Sequence, residues 1–275
     1  MARRGAPFSG VRSWPPADFP LSFVPLLFVK PMRPNLMVIV PALNEEGSVG
    51  AVVRSVRAVL PDAPVLVIDD HSEDATADVA EQAGASVIRL PIHLGLGGCV
   101  QTGYKLAFEL GYDYVVRVDG DGQHEAADIP RILNVLVETG VEVVIGSRFV
   151  ETGGRHTSVP RRLGITFFRL LLKPILGRTI YDPTSGFVGV NRRALQVFSR
   201  SFPLSYPEIE VLVVLQRKRF RFMEVACRMH PRRAGKSTMT FGKSFRYMLH
   251  VLLGVFVNVL RFDGRGRSGV KEAGQ

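Results

Sequence analysis

Leu36-Met37-Val38-Ile39-Val40 is a run without a polar side chain, and it ends in Pro41-Ala42-Leu43-Asn44-Glu45-Glu46. So short an apolar run, bounded by turn residues, reads as a strand buried on both faces. The same grammar repeats along the chain. Glu45 to Leu60 carries Val49, Val52, Val53, Val56 and Leu60 at helical spacing. Pro64 to Ile68 is a second strand running into Asp69-Asp70, Asp74 to Ala83 a short helix closed by Gly84, and Ser86 to Leu90 a third strand. Leu96 to Leu110 reads as helix, Tyr112 to Val118 as strand, Ile129 to Glu138 as helix and Val141 to Ile145 as strand. Strands alternating with helices make βαβ units, hence an α/β fold whose mostly parallel sheet is flanked by helices. Ligands of such sheets bind beyond the carboxyl ends of the strands. Asn44-Glu45-Glu46, Asp69-Asp70-His71 and Asp119 to Gln123 all fall there.

Beyond residue 146 the pattern changes. Arg148, Arg155, Arg161, Arg162 and Arg169 precede or enter an apolar helix near Leu163 to Leu176. Asp182-Pro183-Thr184-Ser185-Gly186-Phe187 leads into a short apolar strand, Pro207 to Arg217 reads as helix and Phe220 to Met229 as strand. A basic segment, residues 231–237, and a mostly apolar helix, Phe245 to Leu260, follow.

The 275 residues suffice for one large α/β domain with appendages. The expected organisation is a Pro- and Arg-rich tail over residues 1–34, the domain over 35–240, an amphipathic helix over 241–262 and a disordered tail over 263–275. A formal net charge of +10 points to an acidic partner: phosphates, anionic lipid or nucleic acid. The basic segments lack a reading-helix pattern, zinc spacing and RNA-binding aromatics, so nucleic acid is not expected. Cys99 and Cys227 are too few and too far apart for a disulfide framework or zinc site. No stretch reaches the roughly 18 apolar residues of a spanning helix. His250 and Asn258 interrupt the run after Phe245, and Lys243, Arg246, Arg261, Arg265 and Arg267 bracket it. It reads as an interfacial helix drawn to an anionic membrane surface, which places the chain in the cytoplasm, peripheral at the inner face of the membrane.

Asp119-Gly120-Asp121-Gly122-Gln123-His124 carries the chemistry. Two carboxylates and an amide oxygen on a tight turn suit Mg²⁺ or Mn²⁺, ions that keep substrate phosphates among their ligands. An ordinary Asp/Gly hairpin uses the same residues. An EF-hand is excluded, because its twelfth position would be Pro130, where a bidentate Glu is required. Gly95-Leu96-Gly97 is not a dinucleotide fingerprint, since the third glycine would be Val100. Asn44 and Glu45 can cap a helix, and Glu45 can also accept from a ribose hydroxyl. Of Asp69 and Asp70, alternation turns one toward the pocket, and Asp70 is preferred. His71, His93 and His124 show no zinc spacing; His124 lies beside the proposed metal turn.

With these clusters in order, residues 36–240 resemble the family 2 glycosyltransferases, and within them the dolichyl-phosphate mannose synthase or polyprenyl-phosphate glycosyltransferase group. The matching pieces are the motifs at 41–46, 68–76, 94–97 with Gly103, and 119–124, then Gly146-Ser147-Arg148, residues 182–187, and Arg232 with Gly235 and Ser237. The resemblance implies a GT-A fold and an inverting, metal-dependent hexosyltransferase. Such an enzyme moves mannose or glucose from a nucleotide-diphosphate sugar to a polyprenyl phosphate. By the same resemblance, Pro41, Leu43, Glu45, Ile68 and Asp70 hold base and ribose, and Asp119 and Gly120 lie against the nucleotide or sugar. Asp121 and Gln123 ligate Mg²⁺ or Mn²⁺, Arg148 and Arg162 hold the acceptor phosphate, and Arg232 meets the donor diphosphate. The chain departs from the group at Leu43, where Tyr is common, at Gly120, where Ala is common, and at Thr238, where Lys is common. These departures bear on donor identity rather than on reaction class. The alternative acceptor, a saccharide hydroxyl, requires a carboxylate base, for which Glu208, Glu210 and Asp182 are the candidates.

Overall fold

The computed structural model describes residues 34–150 and 159–230, excepting the side chains of 159–163. The expected tail and the helix at Phe245 to Leu260 lie outside the described residues, as do Arg155 and Arg232. The strands are β1 (Leu36–Ala42), β2 (Val65–Asp69), β3 (Ser86–Arg89), β4 (Tyr114–Arg117), β5 (Val143–Ser147), β6 (Val188–Asn191) and β7 (Phe222–Ala226). They form one sheet in the order β3-β2-β1-β4-β6-β5-β7. The helices are α1 (Val49–Val59), α2 (Thr76–Gln82), α3 (Gly95–Glu109), α4 (Ile129–Thr139), α5 (Val159–Leu176), α6 (Arg192–Arg200) and α7 (Pro207–Arg217).

Strand periodicity sorts side chains onto the two faces. In β1, Met37 and Ile39 enter one core with Tyr104 of α3, Phe168 of α5, Phe198 of α6 and Leu212 of α7. Leu36, Val38 and Val40 enter the other with Val52 and Val53 of α1 and Ile132 of α4. Burial on both faces is why the strands read as continuous apolar runs. The sheet is mostly parallel, as expected, but β6 runs antiparallel to both β4 and β5.

Several boundaries differ from the sequence reading. α1 begins at Val49 rather than Glu45, because residues 43–48 are used in a turn that braces the next loop. α6 has no counterpart among the expected elements. Asn191 caps it by accepting from the Ala194 amide at 3.1 Å, and Ala194, Leu195 and Phe198 bury one stripe. Among the described residues no helix is long and apolar enough to cross a membrane.

Candidate functional site

The carboxyl ends of β1, β2 and β4 meet. The Asp70 amide donates to Ala42 O at 2.9 Å, and a Cβ on Gly120 would stand 3.2 Å from Pro41 O and 3.3 Å from Ala42 Cβ. The chain after β4 therefore lies directly on the carboxyl end of β1, and the hydrogen side chain at 120 permits it.

Asn44 does not cap α1. Its φ is 52°, in the left-handed region, and its Oδ1 accepts from the Glu73 amide at 2.9 Å while its own amide donates to Ser72 Oγ at 2.9 Å. The Glu45 amide donates to Thr76 Oγ1 at 2.7 Å, and Ser48 Oγ donates to Glu45 Oε2 at 2.8 Å. Two polar turns are thus stapled side by side. Leu43 is exposed on this rim, at 39 %.

Both aspartates at the end of β2 are buried. Asp69 accepts from the Ser72 amide and hydroxyl, closing its own turn. Asp70 reaches the start of α3, where Oδ1 accepts from the Leu94 amide at 2.7 Å and Oδ2 pairs with His93 Nδ1 at 2.9 Å. Pro41 is buried. Ile68 is fully buried in the core beside Gly103, so its side chain supports the rim from beneath rather than lining it.

Asp119 is gripped from several sides. Arg117, from the last position of β4, donates through Nε and Nη2 to Asp119 Oδ1 at 3.0 and 2.9 Å. The same Nη2 lies 3.2 Å from Glu208 Oε1 in the first turn of α7. Burial disfavours the guanidinium charge, but Asp119 and Glu208 more than offset this, and the pKa of Arg117 is raised above its usual value. The Asp119 amide donates to His124 Nδ1 at 3.3 Å, and the imidazole stacks on Phe187 with centroids 4.9 Å apart. Burial lowers the His124 pKa against the opposing pull of Asp119 and Asp121, the direction that favours a bond accepted at Nδ1. Arg117 gave no signal in the motif reading. The cue was available, since a lone cation inside an otherwise apolar buried strand must be paired.

Asp121 is buried at 6 % and accepts from the Gln123 amide at 3.0 Å. Gln123 Nε2 faces His230 O at 3.5 Å, while the His230 amide donates to Gln123 O at 2.8 Å. His230 Nε2 also meets Glu125 Oε2 at 2.8 Å, so the segment after β7 clips the turn in place. Among the described residues no group of three or more His, Cys, Asp or Glu is arranged to hold a metal. The donor set still fits Mg²⁺ or Mn²⁺, which takes one or two carboxylate ligands and completes its shell with water and substrate phosphate. Asp121 would supply a hard anionic oxygen, and Gln123, with its nitrogen turned to His230 O, a neutral one.

Arg148 follows β5 and is bound by Asp182, with Nε to Oδ2 at 2.7 Å and Nη2 to Oδ1 at 2.6 Å; Nη2 also donates to Thr184 Oγ1 at 3.0 Å. Arg162 stands in the first turn of α5; its side chain is outside the described residues. Arg148 joins Asp119, Asp121 and Arg117 in acting electrostatically on His124, so the Asp119–Gln123 turn and the Arg148 loop share one neighbourhood.

Residues 37–198 match the family described as glycosyl transferase family 2. The chain is 34 % identical over 160 residues to the undecaprenyl-phosphate mannosyltransferase of Micrococcus luteus, covering 56 % of this chain and 65 % of that one. It is 31 % identical over 179 residues to the polyprenol monophosphomannose synthase of Mycolicibacterium smegmatis, covering 61 % and 65 %. The match spans just under two thirds of each of these relatives. Among solved structures, glucosyl-3-phosphoglycerate synthase from Mycobacterium tuberculosis, in complex with Mn²⁺, UDP and phosphoglyceric acid, aligns with a TM-score of 0.63. That alignment has 20 % identity and covers 82 % of this chain and 78 % of that one, a likeness of fold. The expected GT-A architecture is thereby borne out.

Proposed function

This chain belongs to glycosyl transferase family 2, and on that premise we propose that it is an inverting hexosyltransferase moving mannose or glucose from a nucleotide-diphosphate sugar to a polyprenyl phosphate. The donor lies along the rim built by Pro41, Leu43, Glu45 and Asp70, with Asp119 and Gly120 against its nucleotide or sugar. Asp121 and Gln123 hold Mg²⁺ or Mn²⁺, which when bound neutralises charge on the departing diphosphate. Arg232 assists there, and Arg148 and Arg162 orient the acceptor.

One observation carries the choice of acceptor. A saccharide hydroxyl needs a carboxylate to take its proton, whereas an acceptor phosphate is already ionised near neutral pH. Two of the candidate bases are committed to ion pairs, and the third is buried. Asp182 is fully buried in its pair with Arg148, Glu208 is tied to Arg117, and Glu210 is buried on α7. A phosphate acceptor requires none of them to be released. The relatives named for polyprenyl-phosphate mannosyl transfer support the same reading. A lipid acceptor also places the enzyme at the cytoplasmic face of the membrane, where a net charge of +10 favours anionic headgroups.

A thermal-shift panel of UDP- and GDP-sugars with Mn²⁺ tests the donor assignment, because a ligand bound only by the native state raises apparent stability by mass action. A shift for one nucleotide class that disappears on chelation is expected. No shift with any nucleotide sugar contradicts the proposal.

A further inference from the structure

We propose that Arg117 is a positioning residue that fixes Asp119 for donor binding and ties it to helix α7 through Glu208. The inference rests on the donor-site reading above and adds to it a buried residue that touches no ligand itself.

Arg117 ends β4, opposite Ile39 of β1 and Val188 of β6, so its stem lies in the middle of the sheet. Its side chain is 3 % exposed, against 28 % for Asp119 and 15 % for Glu208. A buried cation is costly unless paired, and here both partners reach toward the cleft from different elements. Nε and Nη2 converge on a single oxygen, Asp119 Oδ1, and hold it with two charge-assisted donors. The other oxygen, Oδ2, has Gly186 against it: a Cβ there would overlap Oδ2 and stand 2.8 Å from Arg117 Nη2. The lack of a side chain at 186 therefore leaves room for Asp119 Oδ2, while Arg117 holds Oδ1. Through the same Nη2, the first turn of α7 is tied to the carboxylate that follows β4. Tyr104, Phe198 and Phe202, with Glu208 and Arg117 itself, line an adjoining cavity of about 20 Å³, roughly the room of a single water.

A double-mutant cycle tests this. Arg117→Lys keeps the charge and loses the planar set of donors that reaches Asp119 and Glu208 together. Affinity for UDP-glucose and GDP-mannose with Mn²⁺ is measured by calorimetry, using whichever the wild type binds more tightly. Arg117→Lys is expected to weaken it by about tenfold, and the loss should vanish in an Asp119→Asn background, because contacting residues that act as one unit are not additive. If Arg117→Lys does not fold, the same cycle with Glu208→Gln decides, with a loss of about threefold that again vanishes beside Asp119→Asn. Losses that add fully, or no loss from a folded Arg117→Lys, overturn the inference. A wild type that binds neither nucleotide sugar overturns the donor-site reading, and this inference with it.

Discussion

Arg148, directly after β5, and Asp182, in the loop before β6, meet side-on, with Nε and Nη2 at 2.7 and 2.6 Å from the two carboxylate oxygens. Asp182 is fully buried and the Arg148 side chain is 10 % exposed. Glu224 of β7 accepts from the amides of Tyr181 and Asp182, so a second carboxylate holds the loop that presents the first. The orientation of Arg148 is thus inherited from β7. Removing one partner of so enclosed a pair leaves a charge with no compensation. Asp182→Ala is expected to cost about 3–5 kcal/mol in urea unfolding. Asp182→Asn, which keeps the shape, should cost less. Equal and small losses from both would show that the pair contributes no stability.

Asp121→Asn should abolish metal-dependent transfer and leave the fold intact. The carboxylate is the anionic oxygen of the proposed metal turn and is held by the Gln123 amide at 3.0 Å, a bond the amide oxygen of Asn can keep. Sugar transfer measured with Mg²⁺ or Mn²⁺ titrated should fall by roughly a hundredfold or more, the scale of several kcal/mol of lost charge stabilisation. An unchanged rate, or wild-type activity indifferent to chelator, refutes the assignment.

Arg162→Ala should affect the acceptor more than the donor. Arg162 stands in the first turn of α5, following the Arg148 loop in the chain. The loss of a charge-assisted contact should raise the KM for polyprenyl phosphate by about tenfold or more. Nucleotide-sugar affinity by calorimetry should hardly change. The reverse pattern contradicts the role.

Glu224 gives a pH signature. Burial raises its pKa above the ordinary 4.5, with a further push from Asp182, against the amide bonds from Tyr181 and Asp182 that lower it. A raised folded pKa means that the native state holds this proton more tightly than the unfolded chain. Its stabilising contribution is therefore present at acid pH and is lost as pH rises above 4.5 through the raised folded value. The melting temperature of wild type minus that of Glu224→Gln should decline over that rise. A difference that grows with pH has the wrong sign for a raised pKa.

Much of this was legible in the sequence because burial on both faces leaves uninterrupted apolar runs. Leu36 to Val40 and Val141 to Ile145 announced their strands, and the aspartates at 69, 70, 119 and 121 announced the edge where the strands end. What escaped was set by contacts distant in sequence. The antiparallel direction of β6 depends on its pairing with β4 and β5, which four residues, Val188–Asn191, cannot encode. Asn44 reads as a cap by local propensity, yet a partner 29 residues away, Glu73, draws it into the left-handed region. Arg117 was concealed among valines, and its meaning appears only once Asp119 and Glu208 stand beside it.

Transfer of a hexose to a lipid phosphate leaves label in the organic phase when the full chain is incubated with radiolabelled GDP-mannose and UDP-glucose, Mn²⁺ and a polyprenyl phosphate in vesicles. Label should accumulate from one donor, only with both metal and polyprenyl phosphate present, and should be absent with Asp121→Asn. No lipid-linked label from either donor, with label passing instead to a water-soluble saccharide, would contradict the account.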